Sequence, residues 1–295
     1  MEKGLKWKFL LIAGVCVLSV FLLYPIANSL NLGLDLRGGV YLVYRVDDTK
    51  LPDDMQESEA VSRALEIIRN RIDQFGVREP EIQRTNNNRI IVALPGIKDT
   101  ARAKEIIGKT AILEFQLVES GMRDAVEAGL ASGYEQVGCA ENLSRRQCPQ
   151  GGFILKTPPA LTGRYLEDAS VQFGDQGPSV SIEFDQTGAR KFGQLTARNV
   201  DRQIAIVLDN QVISAPTVQT AIRGGEARIT GQFSDQEARD LALMLRAGSL
   251  PAPLEEIEER SIGPSLGEDS IQSGLLAALA ALVLVVAFMA GYYLL

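Results

Sequence analysis

The side chains that most often carry enzyme chemistry are scarce in this chain. Its 295 residues include no histidine and only three cysteines. Without histidine there is no Ser–His or Cys–His pair for nucleophilic catalysis, and the commonest zinc ligand is missing. No other nucleophile and base stand out as a pair. We therefore expect that the chain is not an enzyme and that it uses no cofactor.

Two acidic pairs are the remaining candidates for a metal site. Asp47-Asp48 and Asp53-Asp54 are close in sequence, and carboxylate oxygens are the ligands that calcium prefers. The spacing of the EF-hand calcium loop and its final glutamate are absent from this stretch. We interpret it as a solvated acidic loop and expect no metal site.

Two of the cysteines could form a disulfide. Cys139 and Cys148 are nine positions apart in a stretch rich in Gly, Gln and Asn, whereas Cys16 lies in an apolar segment. In an oxidising compartment this arrangement favours a disulfide, and two free thiols are the alternative. Zinc is excluded because neither a third nearby cysteine nor a histidine exists to complete the ligand set.

Uncharged segments lie at both ends of the chain. No Asp, Glu, Lys or Arg occurs between Lys8 and Asp35 or after Asp269, and each gap is 26 residues long. An apolar helix of about 18 residues rises about 27 Å, close to the thickness of a hydrocarbon core. We predict transmembrane helices at residues 9–27 and 271–295. A cleaved signal peptide is the alternative for the first and a long buried helix for the second.

The charges around these segments predict how the chain is oriented in the lipid bilayer. Lys3, Lys6 and Lys8 precede the first helix, so residues 1–8 should stay in the cytoplasm and the central segment should cross. No basic flank follows the second helix. We take this as an indication that the chain is the N-terminal part of a longer membrane protein. The net charge of −7 and the absence of a basic run argue against nucleic-acid binding.

The central segment predicts an α+β domain in which one order of elements occurs twice. Periodicity favours β-α-β-β-α-β in each set, the order of ferredoxin-like folds. The predicted strands of the first set are 40–46, 81–85, 89–94 and 111–118. Those of the second set are 180–184, 203–208, 211–217 and 254–260, with 227–230 extending the same sheet. We predict two halves, residues 28–118 and 166–270. A single interleaved sheet is the alternative.

Three further stretches are set apart by composition. Residues 119–165 contain both central cysteines and show little periodicity, which indicates a small inserted subdomain. NLGLDLRGG follows the first apolar segment, and SIGPSLGED precedes the second. We interpret both motifs as structural junctions between sheet and membrane. The residues that carry them are Asp35, Arg37, Gly38, Gly39, Gly263, Pro264 and Gly267.

Several long motifs resemble the SecD family of protein translocase subunits, within the resistance-nodulation-division superfamily. They include NLGLDLRGGVYLVY, RNRIDQFGVREPEIQ, IAIVLDNQVISAPTV and SIGPSLGEDSIQSG. The resemblance covers almost the whole chain. It implies the first membrane helix, a large periplasmic domain with a ferredoxin-like base and an inserted head, and the second membrane helix, in a bacterial inner membrane.

The resemblance also implies a function and partners. Members of this family assist export of preproteins through the SecYEG channel, driven by the proton-motive force, and pair with SecF and often with YajC. They hold and pull the emerging, unfolded polypeptide on the periplasmic side. A membrane-anchored periplasmic binding or scaffold module without transport activity is the alternative. By position, residues 119–165 would be the head.

The resemblance leads to two further expectations about residues. Phe153, Ile154 and Leu155, expected to be exposed in the head, are candidate preprotein contacts, and open sheet edges are the alternative. Neither apolar segment contains Asp, Glu, Lys or Arg, whereas a proton path needs ionisable groups at membrane depth. We expect that this part of the chain does not conduct protons by itself.

Overall fold

The computed structural model describes residues 34–52, 55–77, 79–85, 88–127, 129, 132–143, 147–174 and 177–294, together with residue 14. Residues 1–8 and the first predicted transmembrane helix, residues 9–27, lie outside this part of the chain apart from residue 14.

The described elements mix helices and strands throughout the central segment. In chain order they are α1 (Leu34–Arg37), β1 (Gly39–Val46), α2 (Glu57–Phe75), β2 (Glu81–Thr85), β3 (Arg89–Pro95), α3 (Thr100–Gly108), β4 (Leu113–Leu117), α4 (Arg123–Glu127), β5 (Tyr134–Val137), β6 (Phe153–Lys156), β7 (Leu161–Thr162), β8 (Leu166–Gly174), β9 (Gly177–Phe184), α5 (Gln186–Arg198), β10 (Ile204–Leu208), β11 (Gln211–Ser214), β12 (Glu226–Ile229), α6 (Asp235–Ala247), β13 (Leu254–Ile262) and α7 (Pro264–Leu294). The predicted α+β class is confirmed.

The first part of the fold, which we call the tethered unit, is one antiparallel sheet with α2 and α3. Its strand order is β13-β1-β3-β2, the order of a ferredoxin-like fold. Alternate residues of β1, from Val40 to Val46, are buried against one stripe of α2 that includes Ile68 and Ile72. Gly76 ends α2 with φ +84°, a conformation that glycine adopts without strain.

The second part, which we call the outer unit, has two sheets over a shared core. Their strand orders are β11-β10-β4-β7 and β12-β9-β8. Phe115, Phe184 and Phe192 meet edge to face or tilted at its centre, where α5 and α6 pack. Ser234 and Glu237 form a capping box at the start of α6.

Each unit contains the closing strand that the sequence pattern assigned to the other unit. Residues 111–118 were expected to complete the first set, but β4 pairs with β10 in the outer unit. The strand that completes the tethered sheet is β13, which pairs with β1. The strands of the second set were expected to share one sheet: β12 does extend the sheet of β9, but β10 and β11 belong to the other sheet. Side-chain alternation identifies a strand but not its neighbour, so the sequence pattern could not reveal the exchange.

Residues 119–165 contain more regular secondary structure than their composition indicates. β5 and β6 form a two-stranded antiparallel sheet, and β7 joins the edge of β4. The Sγ atoms of Cys139 and Cys148 are bonded, and their Cα atoms are 6.2 Å apart. Phe153 and Leu155 of β6 pack against Val207 and Val212, so this hairpin shares a core with the outer unit.

Candidate functional site

The two junction motifs meet at one corner of the tethered sheet. Gly39, the first residue of β1, pairs with Ile262 at the end of β13 and with Pro95 at the end of β3. The short helix α1 contacts α7. The segment that precedes the domain and the helix that follows it therefore leave from the same corner, which we call the membrane junction (residues 34–39, 95–96 and 261–267).

Both glycines of the first motif are required by the backbone. Gly38 has φ +70°, and its carbonyl accepts a hydrogen bond of 2.8 Å from the Gly96 amide. Gly39 has φ +134°, and a Cβ there would lie 2.2 Å from the Leu94 carbonyl oxygen. Any other residue at position 39 would push β1 away from β3. Arg37 lies beside Gly96, and the backbone of Asp35 lies in α1.

The turn formed by the second motif is shorter than the sequence indicated. Gly263 is exposed and is the single residue between β13 and α7. Pro264 begins α7, where its missing amide costs no hydrogen bond, and Gly267 already lies inside the helix. Among the described residues, the stretch Ile271–Met289 of α7 is long and apolar enough to cross a membrane. The sheet thus runs almost directly into the apolar helix.

A buried arginine holds the two units together. Arg71 of α2 is fully buried and donates hydrogen bonds to backbone carbonyl groups at the end of α3, just after α3 and just after α6. Its acceptors are Ile106 (2.8 Å), Ile107 (3.1 Å), Lys109, Thr110 (3.3 Å) and Gly248 (3.0 Å). Burial lowers the pKa of Arg71, and the Asp209 carboxylate partly offsets this effect. The guanidinium still stays charged at neutral pH.

Asp209 fixes the same connection from the other side. Its carboxylate accepts hydrogen bonds from the Thr110 hydroxyl (2.5 Å) and from the amides of Ala111 (3.0 Å) and Ile112 (2.9 Å). Ala111 has φ +55°, an unusual conformation for a residue with a side chain. The outgoing segment 109–112 is thus held by Arg71 through its carbonyls and by Asp209 through its amides. We call this arrangement the joint.

Sequence reasoning missed Arg71, although one signal was present. Ile68, Arg71, Ile72 and Phe75 follow the spacing of one helical stripe, so Arg71 lies on the apolar face of α2. A charged residue on such a face is buried where most of its donors are used, and here Nη1 and Nη2 donate to carbonyl groups while Nε has no partner. Arg102 forms a bidentate ion pair with Asp240 of α6 and lies over the ring of Phe75 in α2.

An open cleft separates two sheet edges of the outer unit. β11 and β12 are each the edge strand of their sheet. Between their ends lies a cleft of 920 Å³, lined on one side by Ser214, Ala215 and Pro216 and on the other by Arg228, Thr230 and Gly231. A smaller apolar cavity of 260 Å³ adjoins it at Pro216 and Arg228 and reaches Phe115 and Phe192. The outer side of β11 is already paired at Val212, whose amide donates to the Gly138 carbonyl (2.8 Å) and whose carbonyl accepts from the Ala140 amide (3.0 Å). The β12 edge is therefore the one of the two that could accept an extended chain as an added strand.

The loop closed by the two cysteines forms one end of this cleft. Asn142 donates to the Ile213 carbonyl (3.1 Å), and the Gln232 amide donates to the Asn142 carbonyl (3.0 Å). Asn142 therefore bridges β11 and the segment that follows β12. Leu143 and Gln147 of the same loop line the cleft. The disulfide keeps this end wall in place.

The candidate contacts in β6 are not accessible. Phe153, Ile154 and Leu155 are 4%, 2% and 0% exposed, so the expectation that they are exposed is wrong. The Glu119 amide also donates to the Ile154 carbonyl at the strand's second edge. An uninterrupted apolar triplet indicates a strand that is covered on both faces. Across the described residues, no group of three or more potential ligands could hold a metal ion.

Family models match three parts of the chain. Residues 30–50 match the SecD/SecF GG motif, residues 61–120 the N-terminal P1 domain of protein translocase subunit SecDF, and residues 140–252 the P1 head subdomain of SecDF. The matched GG motif contains Gly38 and Gly39 of the membrane junction. The head match covers most of the outer unit, a different range from the expected 119–165.

Known proteins are similar over nearly the whole chain. The protein translocase subunit SecD of Elusimicrobium minutum is 45% identical over 98% of this chain and 69% of that protein. The SecD of Syntrophobacter fumaroxidans is 46% identical over 80% of this chain and 45% of that protein. The crystal structure of a SecDF in a super-membrane-facing form is 36% identical, with a TM-score of 0.62, over 93% of this chain and 38% of that chain.

Proposed function

Because the chain belongs to the SecD family of protein translocase subunits, we propose that it helps to move preproteins across the bacterial inner membrane. It spans between about half and two thirds of the length of the SecD relatives it matches. In this proposal it carries the periplasmic domain of SecD, with a cytoplasmic N-terminus, and acts beside SecF, SecYEG and YajC. The proton-motive force drives the export, and the domain holds the emerging polypeptide.

The observation that carries this proposal is the cleft beside the β12 edge. Backbone groups at a sheet edge bind extended chain whatever its sequence, which suits a protein that must hold many preproteins. The adjoining apolar cavity offers a place for a large side chain, since its 260 Å³ is small for a ligand site. Pockets that bind whole small molecules are typically about 300–1,000 Å³.

The route from the cleft to the membrane supports the same function. α6 leaves the outer unit, passes the joint at Gly248 and continues as β13. β13 has nine residues and spans about 30 Å before it enters α7 at the membrane junction. A load on the outer unit therefore has a short, hydrogen-bonded path to the apolar helix.

A crosslinking experiment tests the proposal. A photoreactive residue replaces Thr230 in the cleft, and a preprotein is stalled during export. We expect crosslinks from position 230. A probe at Phe153, which is buried, and one at Gln83, which is exposed on β2 of the tethered unit, serve as controls. Equal crosslinking from Thr230 and Gln83 would contradict a binding role for the cleft.

A further inference from the structure

One face of α5 carries positive charges and no negative charge. Arg190, Lys191 and Arg198 are exposed on this helix, and no acidic residue occurs in it. The nearest carboxylate in sequence, Asp185, accepts hydrogen bonds from the amides of Thr187 (2.8 Å) and Gly188 (2.6 Å) and caps the helix. We call these three cations, together with Arg164, the basic face.

The basic face differs from the other charged surfaces of the molecule. In the described part of the chain, its four cations form no ion pair with a carboxylate, whereas cations of the tethered unit such as Arg45 and Lys104 do. Lys191 donates a 2.5 Å hydrogen bond to the Tyr165 hydroxyl and lies over its ring, and Arg164 also lies over this ring. Both cations are thus held in place by an aromatic ring instead of being neutralised.

α5 packs against the core of the outer unit in one orientation, so the cations of the basic face are held on one side of the molecule. Gly188 packs so closely on Tyr165 that a Cβ there would lie 2.7 Å from the tyrosine Cβ. A Cβ at Gly193 would make ordinary contact with the backbone of Ile222 and Arg223, at 3.4 and 3.7 Å. The close contact at Gly188 and the burial of Phe192 in the core set how the helix is rotated about its axis. The exposed side chains of α5 therefore share one outward side.

The opposite side of the outer unit carries charges of both signs. α5 shares a core with the inner face of the β12-β9-β8 sheet, where Val180 and Ile182 are buried. The outer face of that sheet carries Asp168, Glu183 and Glu226 together with Arg228, and Asp168 pairs with Arg246. Of these two sides, the basic face is the one with unbalanced positive charge, which would orient the outer unit next to an extended negative surface.

We propose that the basic face docks on the anionic headgroups of the bilayer to which the chain is tethered. The occupant follows from the junction: α7 continues directly from the sheet, so a lipid surface is always within reach at a high effective concentration. Each basic residue near an anionic surface raises the equilibrium constant for docking roughly fivefold. The proposal goes beyond polypeptide capture, because docking needs no preprotein and leaves the cleft free.

Fluorescence of the full chain in nanodiscs tests the docking. Gln194, which is exposed between the cations, is replaced by cysteine and labelled in a Cys16→Ala background. The discs contain phosphatidylcholine alone or with phosphatidylglycerol, and a quencher is attached to the headgroups. We expect quenching only with phosphatidylglycerol, and loss of that quenching at high salt, since exposed charges are screened.

Matched charge reversals separate docking from a general charge effect. The variant Arg190→Glu, Lys191→Glu, Arg198→Glu should lose the quenching. The variant Arg63→Glu, Arg69→Glu, Lys98→Glu changes the net charge equally but on the tethered unit, and should keep it. Circular dichroism checks that both fold. Equal quenching in the two lipid compositions, or in the first variant, overturns the proposal. A fluorescence change on adding polyglutamate to phosphatidylcholine discs, without a response to phosphatidylglycerol, would also overturn it and assign the face to acidic polypeptide.

Discussion

The tethered unit and the outer unit use charged residues in opposite ways. In the tethered unit, Lys104 pairs with both Glu256 and Glu259, and Arg45 pairs with Glu255. These contacts cross from β1 and α3 to β13. In the outer unit an edge cleft stays open and the basic face has no carboxylate partner among the described residues. The tethered unit therefore uses these charges to hold its own elements together, whereas the outer unit forms ion pairs such as Arg246–Asp168 but leaves the basic face without one among the described residues.

The largest expected effect concerns the joint, where the two units meet. Replacing Arg71 by methionine leaves buried carbonyl groups without donors, so we expect the free energy of unfolding to fall by about 3–5 kcal/mol. Chemical denaturation followed by circular dichroism measures it. Arg69→Met, at an exposed position of the same helix, should change it by less than about 0.5 kcal/mol. Similar losses for both variants would show that the joint does not depend on Arg71.

The next effect tests how stiff the tethered unit is at the membrane junction. Gly39→Ala places a methyl group against the Leu94 carbonyl and should cost about 2–4 kcal/mol. Gly76→Ala is the matched control, because Gly76 also has positive φ but nothing lies within 4 Å of the point where a Cβ would stand. It should cost only about 1–2 kcal/mol. Hydrogen exchange should increase in β1 and β3 for Gly39→Ala alone.

A somewhat smaller effect is expected from the end wall of the cleft. Replacing Cys139 and Cys148 by serine opens a loop with a sequence separation of 9 and should cost about 2–3 kcal/mol by the chain-entropy argument. We expect faster hydrogen exchange around β11 and weaker crosslinking from Thr230, with the tethered unit unchanged. A thiol titration of the denatured chain, before and after reduction, shows whether the two cysteines are paired. Unchanged exchange near β11 would contradict the role of the end wall.

The smallest effect compares how the two long helices α2 and α6 begin. Hydrogen bonding to the backbone and hydroxyl of Ser234 lowers the pKa of Glu237 at the start of α6, whereas α2 begins at Gln56 without a side-chain cap. A carboxylate whose pKa is lowered by folding contributes stability above its unfolded pKa of about 4.3, and this stability is lost as the pH falls through the lower folded value. Glu237→Gln should therefore be less stable than the parent near neutral pH and nearly equal to it in strong acid. A constant difference at every pH would contradict this.

Local structure was predictable from the sequence, but contacts between distant segments were not. Gly76 ends α2, and Asp99 and the Ser234–Glu237 box begin α3 and α6; such ends can be read from the sequence because capping depends on neighbouring residues. The partner of β13 was missed because alternation carries no information about which strand lies alongside. The Phe153 triplet was assigned to the surface for a related reason: only the assembled core decides that both of its faces are covered.

The site was predictable in part. The glycines of the membrane junction were identified as a junction, and the structure adds that position 39 has no room for a side chain. Arg71 and Asp209 were not identified, since each acts on backbone groups that are remote in sequence. Arg71 reaches Gly248, 177 positions away. Such contacts form only because the chain passes from one unit to the other and back, and no local sequence motif records them.

The exchange of closing strands also has a consequence for how the domain is made. β1 is joined to β13 by side chains that are 210 positions apart, such as Arg45 and Glu255. Pairing of such distant segments is slow, and it cannot begin until the later one has been synthesised. The tethered sheet therefore stays incomplete, with one edge of β1 open, until almost all of the domain has emerged. Residues 254–262 complete it just before the apolar helix α7 follows, so the last step of folding coincides with the synthesis of that helix.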